Sequence, residues 1–218
     1  MPECITEIDM GPLCVRAFVV PASIQDESRT VDVTWTTGAG VPRYDYRRGE
    51  MYLERLSLDP KHVDLARLNS GAPVLDGHSG YSVRMQFGVV VDGSARLEPG
   101  GGRATLRFSK RADVEPVWGD IKDGIVRNVS NGYVVYRYEE SREPGIDMPI
   151  RTAVKWQPYE ISMVPMPADA ESQVRSGHLP LVHRCQIVAP ASSLSLGDAD
   201  RARVFRLAER RFFHEAYR

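Results

Sequence analysis

Alternation with period two runs through much of the chain. Leu13, Val15, Ala17 and Val19 interleave with Cys14, Arg16, Phe18 and Val20, and Val31, Val33 and Trp35 interleave with Asp32, Thr34 and Thr36. Successive side chains of a strand point to opposite faces, so this pattern predicts strands with two distinct faces. Val83, Met85, Phe87, Val89 and Val91 form another alternating face, ended by the turn Asp92-Gly93-Ser94. Ala104, Leu106 and Phe108 alternate with Arg103, Thr105 and Arg107 after a flexible Pro99-Gly100-Gly101-Gly102. Strands are also expected over 125–138, 153–156 and 159–164.

Helical spacing is rarer. Asp59-Pro60 reads as a helix start, with Asp as N-cap and Pro at the first helical position. Val63, Leu65, Ala66 and Leu68 then supply an apolar stripe that Asn69-Ser70-Gly71 stops. Val114, Val117, Trp118 and Ile121 fall at i, i+3, i+4 and i+7, with Asp113 as cap and Gly124 as stop. After about residue 175 the character changes: 189–195 reads as a linker, and 201–218 carries six Arg against two Glu on a helical pattern. The expected organisation is a domain over 1–175 and a linker plus basic helical tail over 176–218. Many short strands and few helices favour a mixed, β-rich barrel or sandwich over a doubly wound sheet.

Composition narrows the function class. The 218 residues are 42% hydrophobic and 26% charged, which suits a globular domain. A net charge of -1 gives no overall pull toward nucleic acid or an anionic membrane. No run reaches the roughly 18 apolar residues a spanning helix needs. The opening Met-Pro-Glu-Cys-Ile-Thr-Glu lacks a basic-then-apolar signal layout. Cys4, Cys14 and Cys185, odd in number and without CxxC spacing, argue against a disulfide frame or zinc site and fit a reducing cytoplasm. His178 and His183 beside Cys185 are a loose match to metal spacing. The arginine-rich tail is explained by a solvated helix face, with nucleic acid or an acidic partner as the alternative. No cofactor or metal is expected.

Three segments carry candidate chemistry. In Arg127-Asn-Val-Ser130-Asn-Gly-Tyr133, Ser130 and Gly132 share the strand face opposite Val129 and Tyr133. A serine hydroxyl becomes a good nucleophile only with a base held against it. Gly132 would clear space for a substrate backbone, and the Asn131 N–H is a candidate oxyanion donor. In Pro73-Val-Leu-Asp76-Gly-His78-Ser-Gly80, an imidazole follows a short apolar run, at a strand end where functional groups concentrate. In Tyr159-Glu160-Ile-Ser162-Met163, Glu160 lies opposite an apolar face and needs a partner. That partner is an imidazolium, or Arg127 or Lys155, and Asp76 competes with Glu160 for His78. Without the others, Ser130 reads as one more strand serine and His78 as a turn histidine. There is no GxSxG elbow, P-loop or HExxH.

Taken in order, the blocks Gly71–His78, Asp123–Tyr133 and Trp156–Val164 with Pro167-Ala-Asp-Ala170 resemble the prohead (capsid maturation) serine proteases of tailed bacteriophages, relatives of the herpesvirus assemblins. Arg103 to Ile121 is similar to the family as well, and the likeness covers roughly residues 10–175. Two departures stand out: Asp76-Gly77 and Ser79 flank His78 where Asn and Asp are usual, and Asn131 replaces a small or apolar residue. The resemblance implies an assemblin-like β-barrel flanked by a few helices. It implies Ser130 as nucleophile, His78 as base and Glu160 as acidic member, with Arg127 aiding Asn131 at the oxyanion. Expected substrates are the major capsid protein, the scaffold and the enzyme itself, inside an assembling procapsid in the host cytoplasm. Self-association is left open; neither membrane nor nucleic acid is an expected partner. The tail would bind scaffold, be cut away, or begin a fused capsid polypeptide. A non-catalytic assembly module of the same fold and a small-ester hydrolase are the rival readings.

Overall fold

The computed structural model describes residues 3–10, 13–165 and 183–190. They form a twelve-stranded mixed sheet: β1 (Glu3–Met10), β2 (Leu13–Val19), β3 (Thr30–Thr36), β4 (Val41–Asp45), β5 (Glu50–Leu56), β6 (Pro73–Asp76), β7 (Gln86–Val90), β8 (Arg96–Glu98), β9 (Gly101–Phe108), β10 (Asn128–Ser141), β11 (Ile150–Met163) and β12 (His183–Pro190). Among the described residues there is one α-helix, α1 (Glu115–Lys122). The β-rich mixed class read from the alternation therefore holds.

Each of β10, β2, β3, β9, β7, β6 and β11 pairs with the next, and β11 pairs back with β10. Two 14-residue strands make this possible, because β10 and β11 are long enough to serve different neighbours at their two ends. Beyond that circuit the sheet stays open, with β1 at one end and β4 at the other, so it is not a simple closed barrel. The circuit wraps a core that includes Val31, Val33, Trp35, Leu106, Val129, Tyr133, Trp156 and Ile161. Trp35 and Tyr133 both pack against Trp156, with ring centroids 6.0 and 5.7 Å away.

Several elements depart from expectation for identifiable reasons. Residues 59–70 form turns and a 3-10 turn at Leu68–Ser70, not an α-helix. Asp59, expected as an N-cap, instead closes a turn by accepting from the Lys61 N–H at 2.8 Å. The backbone of 62–64 bonds to both the N–H and C=O of Trp156, which holds it extended. The alternation from Val83 begins with a 3-10 turn, Val83–Met85, before β7. Gly101 and Gly102, expected to be flexible, lie in β9, where a Cβ on Gly102 would stand 2.4 Å from the Trp35 ring. The expected strands over 153–156 and 159–164 are one strand, β11. Residues 183–190 pair with β1 and β10, so the sheet takes in residues beyond the expected boundary at 175 and the start of the expected linker. The expected helical tail over 201–218 lies outside the described residues.

Candidate active site

The site is built on three adjacent strands. Ser130 on β10 is in register with Ser162 on β11, and Gly132 with Glu160. Directly opposed residues of an antiparallel pair share a face, with Cβ atoms about 4.5–5.5 Å apart. The alternate residues Val129 and Tyr133 of β10, and Ile161 and Met163 of β11, fill the core. Ser130, Gly132, Glu160 and Ser162 therefore stand together on the other face.

A bulge aims the carboxylate. Tyr133 pairs with Pro158 while Gly132 pairs with Glu160, so Tyr159 is left over on β11. Proline lacks a ladder donor and is found at such irregularities. The extra residue brings Tyr159 and Glu160 over Gly132: a Cβ there would lie 2.3 Å from Glu160 Oε1 and 2.9 Å from the Tyr159 hydroxyl. The space left by Gly132 is thus filled from within by Glu160, where the sequence suggested room for substrate.

His78 arrives from β6, which runs parallel to β11 with Leu75 in register with Ser162. The Gly77 N–H donates to the Met163 carbonyl, and both Gly77 (φ 51) and His78 (φ 66) adopt left-handed backbone. A non-glycine residue there costs roughly 1–3 kcal/mol unless its surroundings hold it. Here they do. The His78 N–H donates to Ser162 Oγ at 3.0 Å, and Nδ1 lies 2.5 Å from Glu160 Oε1. Ser162 Oγ in turn donates to Glu160 Oε2 at 2.6 Å. Glu160 is 3% exposed, so both its oxygens receive charge-assisted bonds away from water. Ser162 orients carboxylate and imidazole loop together; sequence reading passed over it, because a strand serine carries no local signal.

Glu160, not Asp76, is the carboxylate against His78. Asp76 is exposed, and its carbonyl accepts the Ser79 N–H that closes the turn. Lys155 and Arg127 are exposed as well. The two serines differ in one decisive way. The Ser162 hydroxyl is committed on both sides, whereas Ser130 Oγ is buried, 0% exposed, and has no hydrogen-bond partner among the described residues. Asn131, alternate to Ser130, is fully buried, and among the described residues neither polar atom of its side-chain amide has a partner. Its backbone lies between Ile161 of β11 and Val15 of β2, so its N–H faces a paired strand whichever way it points. Serving an oxyanion from there requires the ladder to open.

Residues 81–182 match the family described as caudovirus prohead serine protease. That stretch contains Ser130 and Glu160, with His78 three residues before it. A protein named major capsid protein, from Halomonas phage phiHAP-1, is 39% identical over 111 residues, covering 49% of this chain. The shared region spans only 17% of that relative's length. No solved structure matches the chain.

The remaining candidates lie apart. Burial pushes the Cys185 thiol on β12 up to about 12, which keeps it protonated at neutral pH. His178 and the side chain of His183 lie outside the described residues. Among the described residues no three His, Cys, Asp or Glu side chains cluster as metal ligands, and no helix is long and apolar enough to cross a membrane.

Proposed function

We propose that the chain is a serine endopeptidase of phage capsid maturation, with Ser130 as nucleophile, His78 as general base and Glu160 as the group that orients the imidazole. One observation carries the reading: Glu160 holds His78 Nδ1 at 2.5 Å on the sheet face that also carries Ser130, whose hydroxyl has no hydrogen-bond partner among the described residues. With the Nδ1 proton donated to the carboxylate, Nε2 is the lone-pair nitrogen. In the proposed reaction Nε2 takes the Ser130 proton as Oγ attacks the scissile carbonyl. The proton then passes to the leaving amine as the C–N bond breaks, and water hydrolyses the acyl-enzyme by the same route. Glu160 stabilises the imidazolium formed in each half. Arg127, three residues before Ser130, remains the candidate cation for the oxyanion.

The family match over 81–182 supports the reaction class, and the named capsid relative supports a capsid setting. In this reading the substrates are the major capsid protein, the scaffold and the chain's own flanking segments, cut in the host cytoplasm as the procapsid assembles. The alternative, a non-catalytic assembly module, draws on the complete enclosure of Ser130. Co-expression with the cognate capsid protein separates the two. Wild type is expected to shorten the capsid protein on a gel, with new termini in mass spectra, and Ser130→Ala to leave it full length. Equal processing by both removes Ser130 from the mechanism.

A further inference from the structure

A cavity of about 220 Å³ adjoins the catalytic face and plays no part in the proposed proton transfers. Its floor is Pro73 and Leu75 of β6 with Gln86 of β7; its wall is the loop segment Gly80-Tyr81-Ser82-Val83. Small-molecule pockets usually run to about 300–1,000 Å³, so this one is on the scale of a single side chain. None of these residues carries a charge at neutral pH. Tyr81 and Val83, 79% and 78% exposed, leave apolar surface at the mouth.

Its position relative to Ser130 follows from the register. Ser130 pairs with Ser162, and Ser162 with Leu75. Val74 belongs to the core cluster, whereas Leu75 does not, so Leu75 faces the same side as Ser162 and Ser130. Two strand spacings separate Leu75 from Ser130, about 10 Å. An extended substrate rises about 3.3 Å per residue, so the cavity is within roughly three residues of a bond held at Ser130. One loop serves both places: His78 turns back to Glu160, and two residues later Gly80 begins the cavity wall.

The wall is braced from outside. Arg111 donates to the carbonyls of Val83, Arg84 and Gln86 at 3.0, 3.1 and 3.0 Å. Ser82 Oγ caps the same 3-10 turn by accepting the Arg84 N–H at 3.3 Å. A braced wall gives a subsite of fixed shape, which is what discrimination among side chains requires.

The geometry points to this cavity as a specificity subsite that takes one uncharged, apolar side chain of the substrate polypeptide, one to three residues from the scissile bond. This rests on the protease reading above. No charged residue lines the cavity, and the Arg111 cation beside it is committed to the carbonyls of Val83, Arg84 and Gln86, so a charged side chain would find no counter-ion in the lining. Gly80 offers a direct test, because a Cβ on it would sit in ordinary contact, 3.8 Å from Leu75 Cδ1, and its backbone is not left-handed. Gly80→Val should therefore fill the cavity.

The experiment digests a synthetic peptide mixture with wild type, Ser130→Ala, Gly80→Val, Val83→Glu and the distant surface variant Tyr44→Ala, and maps the cut sites by mass spectrometry. Wild type and Tyr44→Ala are expected to share an enrichment of Leu, Ile, Met or Phe at one fixed position within three residues of the cut. In Gly80→Val that enrichment should fall at least fivefold in favour of smaller residues, and Val83→Glu, altered at an exposed mouth position, should reduce it too. Ser130-dependent cutting with no apolar preference, or one unchanged in both variants, overturns the subsite alone. Wild type that neither cuts nor reacts with a fluorophosphonate probe overturns the protease reading and the subsite with it.

Discussion

Gly132→Ala isolates the link between the bulge and the imidazole. Gly132 is not left-handed, so alanine can adopt its backbone and the perturbation is one methyl group. That methyl would stand 2.3 Å from Glu160 Oε1, and real Cβ atoms essentially never come within 3.0 Å of such a neighbour. The carboxylate therefore has to retreat by about 0.7 Å or more, against a bond to His78 Nδ1 of 2.5 Å. The same methyl also meets the Tyr159 ring and hydroxyl at 2.9 Å, so two side chains have to shift together.

Two magnitudes follow. Overpacking one methylene in a filled site costs about 1–3 kcal/mol of stability. Misplacing a catalytic group by about 1 Å costs roughly 10²-fold in rate. The assay is kcat/KM on a cleavable capsid-derived peptide, read beside an equilibrium urea melt of the same preparation. Most of the loss is expected in kcat, because the damage is to proton transfer and not to substrate contacts. Gly132→Ala that folds and turns over at the wild-type rate would refute the argument that Glu160 must occupy that space.

Other expectations can be checked with the same peptide and melts. Glu160→Gln should lower kcat by about 10²–10⁴, since the imidazolium loses its counter-charge, while Asp76→Asn stays near wild type; a rate assay giving the reverse order would reassign the acid. Ser162→Ala removes the donor to Glu160 Oε2 and the acceptor of the His78 N–H, costing about 1–3 kcal/mol in stability and lowering kcat more than it raises KM. Burial opposes ionisation of Asp45, but the Arg151 charge and hydrogen bond, with backbone donors from Arg48 and Arg47, outweigh it and hold the carboxyl below its ordinary 3.8. Its contribution is therefore present above about pH 4 and is lost as pH falls through the depressed value. Melts from pH 3 to 7 should show Asp45→Asn destabilised most at neutral pH, with the gap closing at the acid end.

Period two marked β3 and β9 because Val31, Val33 and Trp35 of one and Ala104, Leu106 and Phe108 of the other all face the core. It failed on β5, whose inward positions include Glu54, and on residues 59–70, where a helical stripe yielded to backbone bonds with Trp156. The bulge at Tyr159 was hidden too: a leftover residue is a property of two strands in register, and one strand's sequence does not contain it. Ser130, His78 and Glu160 stood out as candidates because each had a distinctive neighbourhood. Their geometry was not legible, because it depends on Ser162 and Gly132, whose roles exist only across the ladder.

Among the described residues, Glu54 and Glu160 are carboxylates buried in strands, and their partners separate structure from chemistry. Glu54 accepts from the hydroxyls of Tyr133 and Tyr138 and from Arg43 Nε at 3.1 Å, so a permanent cation balances it. Burial, with the charge of Glu54, pushes both phenols well above their usual value, so neither phenol exchanges protons near neutrality. Glu160 has an imidazole and a hydroxyl instead, and among the described residues no Arg or Lys forms an ion pair with it. The imidazole and the hydroxyl hold the carboxylate in place without supplying a permanent counter-charge. A carboxylate matched to arginine fixes a fold, whereas one matched to an imidazole fixes the orientation of that ring, which is what the proposed serine chemistry needs from its base.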